Sequence, residues 1–312
     1  MDSRHWHILG AGSIGSLFAC LLDQAGVGCS LVLRPSDPAL ERGSLDILLR
    51  EGSVTNRHNF ALGSPASAAP IHQLLVCTKA YDLEESIASV LPRLAPDAVI
   101  VLLANGLGYQ QRIAEQWPRF TVVSGSTTEG AFRATHHGQN REVQRAGRGI
   151  TWFGASELGA PDWFSDWQEI DAHCVWTSDM DAVLWRKLAI NCAINPLTAL
   201  HHCLNGALAE RHELALAVRE LCVEIATVTE AAGHPEAATH LHTSVMEVIR
   251  ATANNRSSML QDISAGRPTE IDYLTGHLVA TAERLHIATP RNRSLLNAVR
   301  ELETSQTLGR NR

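Results

Sequence analysis

The chain reads as two domains of different class, an α/β domain built on a parallel sheet and an all-helical domain after it. Three observations predict this. Short apolar runs alternate with amphipathic stretches through the first half. Gly and Pro separate them, which is the pattern of β-α-β units. From Asp179 onward the apolar period shifts to near 3.6. A length of 312 residues suits two cores better than one, and the boundary is placed near Thr177, giving domains 1–177 and 178–312.

In chain order, the predicted strands are residues 7–9, 29–33, 74–77, 99–103 and 121–123, with helices over 13–25 and 83–91. Residues 142–145 and 149–153, joined around Gly147, read as a late hairpin, and 173–176 as a last strand. The second half predicts helices over 182–200, 207–231, 235–253, 270–285 and 292–302. Pro235 and Pro290 mark helix boundaries. The polar stretch 304–312 is expected to fray.

Composition excludes several classes. A net charge of −7 leaves no excess of cations to displace counterions from a phosphate backbone, so nucleic acid is not expected as a partner. No apolar run approaches the roughly 18 residues of a membrane helix, and the N-terminus does not resemble a signal peptide. Seven cysteines without a C-x-x-C pair fit a reduced compartment. A soluble, cytoplasmic protein is expected. Fifteen histidines are accompanied by neither H-E-x-x-H nor C-x-x-C, so no metal site is expected. The sequence leaves a homodimer open.

Gly10-Ala11-Gly12-Ser13-Ile14-Gly15 fits G-x-G-x-x-G between a strand and a helix. That context is the dinucleotide-binding fingerprint of a Rossmann-like domain, its glycines allowing a tight turn, backbone approach to a pyrophosphate and close helix packing. The next strand leads into Arg34 rather than Asp or Glu. A cation there suits the 2′-phosphate of NADP(H), with a solvated strand-end arginine as the alternative. Asp37 stands close enough in sequence to reach a ribose instead. Lys79 and Asn105 follow later strands, where ligands of open α/β sheets bind.

The most specific signal lies in the second domain. Lys187, Asn191 and Asn195 are spaced i, i+4, i+8 and project from one helix face. One lysine and two amides on an otherwise apolar helix are costly unless they meet a ligand. Pro196 is expected to kink or end that helix at Asn195. Thr269 and Asp272 resemble a capping box, which would place Glu270 in a helix's first turn.

W-x-K-L-x-x-N-x-x-x-N-P-L from Trp185, S-S-M-x-Q-D from Ser257 and G-R-x-T-E-I-D from Gly266, with the glycine motif, resemble the ketopantoate reductase family. The resemblance runs from about Ile8 to about Val299. It implies a Rossmann domain followed by a helical domain like that of 6-phosphogluconate dehydrogenases, with the active site in the cleft between them. It implies NADPH-dependent reduction of a small-molecule 2-keto acid, 2-dehydropantoate, to pantoate in pantothenate biosynthesis. By matching strings, Lys187 is the catalytic lysine and Glu270 the active-site glutamate. Asn105, Asn191, Asn195, Asn205 and Ser258 fall on substrate positions; Gly10 to Gly15, Arg34, Lys79, Asn105 and Glu270 fall on cofactor positions. The chain departs from similar sequences at Ala104, Arg145 and Thr275, which bears on which keto acid fits. A same-fold reductase of another 2-keto acid, an opine-type or 3-hydroxyacid dehydrogenase, and a non-catalytic NADPH sensor remain alternatives.

Overall fold

The computed structural model describes residues 4–134, 141–155 and 159–310. They form two compact units: one runs to Ala104 and resumes over Tyr109–Met180, and the other takes Asn105–Gly108 with everything from Asp181.

The first unit contains, in order, β1 (His5–Leu9), α1 (Ser13–Gln24), β2 (Gly28–Val32), β3 (Ser44–Glu51), β4 (Val54–Gly63) and β5 (Ile71–Val76). It continues with α2 (Leu83–Val90), β6 (Leu94–Leu102), α3 (Gln110–Gln116), β7 (Thr121–Thr127), β8 (Gly130–Arg133), β9 (Arg141–Gly147), β10 (Ile150–Gly154), α4 (Ser165–Gln168) and β11 (His173–Trp176). The strand order is β11-β10-β7-β6-β5-β1-β2-β4-β3-β9-β8. From β7 through β6, β5 and β1 to β2 all neighbours are parallel. Their runs are apolar throughout because both faces are covered: Ile8, Leu31, Leu74, Leu75, Ile100 and Val101 are fully buried. Leu17, Phe18, Leu21 and Leu22 of α1 are fully buried as well. Trp167 joins this core, its ring 5.1 Å from Trp6, 5.4 Å from Phe18 and 4.7 Å from Phe153. Trp6 and Trp167, far apart in sequence, thus meet in one cluster.

Two features differ from the sequence reading. β3 and β4 form an antiparallel hairpin across residues 52–53 that apolar runs alone do not reveal, since half of each strand is polar. The expected hairpin around Gly147 is absent. Instead β8 pairs antiparallel with β9, and β7 with β10, so the segments on either side of Gly147 share the partner 121–133. The physical reason is the approach of Gly149 to Thr128, where a Cβ would lie 2.4 Å from the carbonyl, and a charged cluster holding β9 elsewhere. Arg145 makes two hydrogen bonds to Glu129, of 2.9 and 2.8 Å, and one of 2.9 Å to Glu51. The Arg145 and Glu129 side chains are 2% and 0% exposed.

The second unit contains α5 (Met180–Leu200), α6 (Ala207–Glu210), α7 (His212–Ala231), α8 (Pro235–Ala238), α9 (Leu241–Ala251), α10 (Ser258–Ser264), α11 (His277–Arg284) and α12 (Pro290–Arg310). A π-helical turn, Asp272–Gly276, leads into α11. The core takes one stripe from each long helix, such as Leu214, Val218, Leu221 and Ile225 of α7 and Leu241, Val245 and Ile249 of α9. Two expected helices are each broken, at Arg211 and at Thr239–His240, where His240 adopts φ +54. The polar end of the chain is helical as far as Arg310. α12 runs that far, its start capped by Glu224, which accepts from the N–H groups of Arg291 and Asn292 at 2.9 Å each. Among the described residues no helix is long and apolar enough to cross a membrane.

Arg145→Met should leave the Glu129 carboxylate buried without its cation, held only by the Gly149 N–H, and lower the unfolding free energy by about 3–5 kcal/mol, measured by urea denaturation. Adding Glu129→Gln should recover part of that loss.

Candidate functional site

In the first unit the strand order turns from β2 to β5 on either side of β1, and ligands of such sheets bind beyond the carboxyl ends at that switch point. Gly10 follows β1 and lies against the end of β5. A Cβ on it would stand 2.9 Å from the Thr78 nitrogen, and one on Gly15 would stand 2.1 Å from the Gly10 carbonyl oxygen. These two glycines permit the close turn. Gly12 has open space where its Cβ would be. It caps α1 without a side-chain hydrogen bond, and the first turn carries no acidic residue. The N–H groups of that turn are therefore presented to an anion, which fits a pyrophosphate. The Arg34 side chain is 84% exposed, with its guanidinium 3.9 Å from Asp82. Lys79 precedes a 3-10 turn, Ala80–Asp82. Asp37 has its carboxylate engaged by Arg141 and by the Ala39 N–H.

The remaining candidates all belong to the second unit. α5 carries Lys187, Asn191 and Asn195 on consecutive turns. Asn191 is half-buried and Asn195 buried, and neither side-chain amide has a hydrogen-bond partner among the described residues. Burial brings the Lys187 ammonium down to a pKa of about 8, against the opposing pull of the Glu270 carboxylate. Glu270 is itself buried and accepts a 3.0 Å hydrogen bond from Asn105 Nδ2. Asn105 is held there by its neighbours. The Leu107 N–H donates to the Tyr273 carbonyl at 3.0 Å, and Gly106, at φ +92, passes so close that a Cβ would lie 2.4 Å from the same oxygen.

The segment bearing Glu270 is anchored from α12. Glu303 accepts from the Thr269 N–H at 2.6 Å, and Arg300 donates to Asp272 at 2.9 and 2.6 Å. The capping box therefore does not close: the Thr269 hydroxyl accepts from the Ile271 N–H at 3.2 Å, but Asp272 serves Arg300. Nor does Pro196 end α5. The helix runs to Leu200, and beyond the proline the Thr198 hydroxyl lies against the carbonyls of Ile194 and Asn195 at 3.2 and 2.9 Å. The same hydroxyl meets Ser257 Oγ at 2.7 Å, and Ser257 caps α10 through the Leu260 N–H. Ser258 is exposed at the first turn of α10. Asn205 spends its amide on Thr252 Oγ1 at 2.9 Å, while its buried Oδ1 has no partner among the described residues.

Sequence reading missed Thr198 and Arg141. A threonine among apolar residues and an arginine opening a strand carry no motif.

The first unit thus carries a glycine loop of the dinucleotide-binding kind, and the second a buried lysine beside a buried glutamate. Residues 6–157 match the model of "Ketopantoate reductase PanE/ApbA" and residues 179–303 that of its C-terminal region. The chain is 36% identical over 301 residues to the 2-dehydropantoate 2-reductase of Vibrio cholerae, covering 96% of this chain and 97% of that one. It is 31% identical to the protein of that name from Archaeoglobus fulgidus, covering 97% and 99%. The chain belongs to the ketopantoate reductase family. Its fold is also similar to a PanE/ApbA family ketopantoate reductase from Ralstonia eutropha JMP134, with a TM-score of 0.85 at 24% identity over 97% and 99% of the chains. D-mandelate dehydrogenase in its ternary structure with NADH and anilino(oxo)acetate gives 0.82 at 21%, over 97% and 99%.

Gly106→Ala should push Asn105 off Glu270. We expect a loss of about a hundredfold in kcat/KM with the far-UV circular dichroism spectrum unchanged; native kinetics would show that the 105–108 segment tolerates displacement.

Proposed function

We propose that this chain reduces 2-dehydropantoate to pantoate with NADPH, using Lys187 as general acid. The observation that carries this reading is the α5 face: an ammonium poised near pH 8 with two unpartnered carboxamides on the following turns. The relatives that match over nearly their whole length are named for that reaction. In this reading the first unit is the NADP-binding domain and the second the substrate domain.

Gly10 to Gly15 would hold the pyrophosphate, and Arg34 and Lys79 the 2′-phosphate, with Asn105 and Glu270 also serving the cofactor. When bound, NADPH supplies the hydride to the C2 ketone. Negative charge then gathers on the carbonyl oxygen, where the Lys187 ammonium stabilises it and donates its proton. Product is the 2-hydroxy acid, and lysine leaves the step neutral. Glu270 favours the charged lysine before transfer, by the same attraction that opposes the effect of burial. Asn191 and Asn195 orient the substrate hydroxyl, and Ser258 binds its carboxylate, with Asn205 closing that side. All seven cysteines carry free thiols, which fits a cytoplasmic enzyme.

The test is NADPH oxidation with 2-dehydropantoate beside a panel of other branched 2-keto acids. A clear preference for another acid would reassign the substrate. Lys187→Ala should lower kcat by a factor of about 10² to 10⁴ while NADP⁺ still binds by calorimetry; near-native kcat would remove the general-acid role.

The protonated lysine is the active form for reduction. kcat/KM for reduction should therefore be level at low pH and fall through about 8, while pantoate oxidation, which needs the neutral amine, should rise there. Glu270→Gln removes the interaction that raises the lysine's pKa, so both midpoints should move to lower pH. A profile flat from pH 6 to 10 would place proton delivery elsewhere.

A further inference from the structure

The stretch after β2 is where a dinucleotide-binding unit borders the adenosine ribose, and a carboxylate there normally selects NAD by accepting from its hydroxyls. This chain carries such an acid, Asp37, alongside Arg34. Both Asp37 oxygens are occupied. Oδ1 accepts from the Ala39 N–H at 3.0 Å, and Oδ2 is bound by Nη2 of Arg141. Arg141 opens β9, far away in sequence, and is largely buried, with 16% of its side chain exposed against 22% for Asp37. Its Nη1 donates to the carbonyl of Ala11, inside the glycine loop, at 3.3 Å. One guanidinium therefore ties the acid to the loop that would carry the pyrophosphate. Burial works against the Asp37 anion, but the Ala39 N–H and Arg141 outweigh it, with Arg133 adding a smaller attraction, and the carboxyl is held below its ordinary range.

We propose that Arg141 determines cofactor specificity: it occupies and neutralises the acid after β2, so that Arg34 sets the charge that meets a 2′-phosphate. The inference rests on reading the first unit as NADP-binding. With Arg141 in place, each Asp37 oxygen already accepts a hydrogen bond, which weakens it as an acceptor for ribose hydroxyls, and the pair adds little net charge. Without it, a part-buried carboxylate would repel the 2′-phosphate and regain the acceptors that bind NAD.

The test is calorimetric affinity, independent of turnover, for NADP⁺, NAD⁺, adenosine 2′,5′-bisphosphate and 5′-AMP. Arg141→Met should weaken NADP⁺ and the bisphosphate by about tenfold or more and leave NAD⁺ and AMP unchanged or tighter. Adding Asp37→Asn should restore NADP⁺ binding, because the unmasked charge is gone. Equal weakening of all four ligands, or a double variant that does not recover, overturns the proposal and leaves Arg141 as a prop for the loop. If Arg141→Met does not fold, Asp37→Asn alone decides. It should bind NADP⁺ at least as tightly as wild type, and a loss confined to NADP⁺ would overturn the idea. A wild-type protein without preference for NADP⁺ overturns this proposal and the NADP reading together, whereas a preference untouched by Arg141 overturns this one alone.

Discussion

Burying an ammonium group beside a single carboxylate is the constraint around which the helical unit is organised. Removing Lys187 from water disfavours its charge, and Glu270 restores only part of what is lost, so the balance falls on the side of desolvation. The result is an ammonium whose pKa is brought down to about 8, which in the proposed reaction suits a general acid. A fully exposed lysine would hold the proton too firmly. One paired more strongly with carboxylates would do the same.

That balance depends on where Glu270 is held. Its carboxylate takes the Asn105 amide, while Glu303 and Arg300 of α12 fix the residues on either side. The π-helical turn that follows replaces the regular helix start expected from Thr269 and Asp272, and wide turns of this kind are frequent at functional sites. α12 is itself positioned by Glu224 from α7. A chain of charge-assisted hydrogen bonds thus runs from the unit's long helices to the one acid that tunes the lysine.

Much of this was legible in the sequence, for identifiable reasons. The glycine loop could be read because its function is carried by backbone, and only glycine fits at positions 10 and 15. The polar face of α5 stood out because helical spacing converts directly into a shared side. The β3–β4 hairpin did not, because a strand with one exposed face has no continuous apolar run to find. The strand pairing around Gly147 was misread for a different reason. Local turn chemistry pointed to a hairpin, whereas the buried Arg145–Glu129 pair and the close pass at Gly149 are tertiary facts that no short window contains. Arg141 is of the same kind, its partners Asp37 and Ala11 lying more than a hundred residues away.

Pro196 shows how an apparent sequence rule gives way to its surroundings. Proline removes the N–H that would bond the carbonyl four residues earlier and ordinarily breaks a helix. Here the proline directly follows Asn195. The carbonyl that loses its donor is that of Cys192, and the helix nevertheless runs on to Leu200; two residues after the proline the Thr198 hydroxyl bonds back to the carbonyls of Ile194 and Asn195 and meets Ser257. Ser257 in turn sets the start of α10, next to Ser258. The Thr198 hydroxyl, lying between the Asn195 carbonyl and Ser257 Oγ, thus links α5 to the cap of α10, where Ser258 stands.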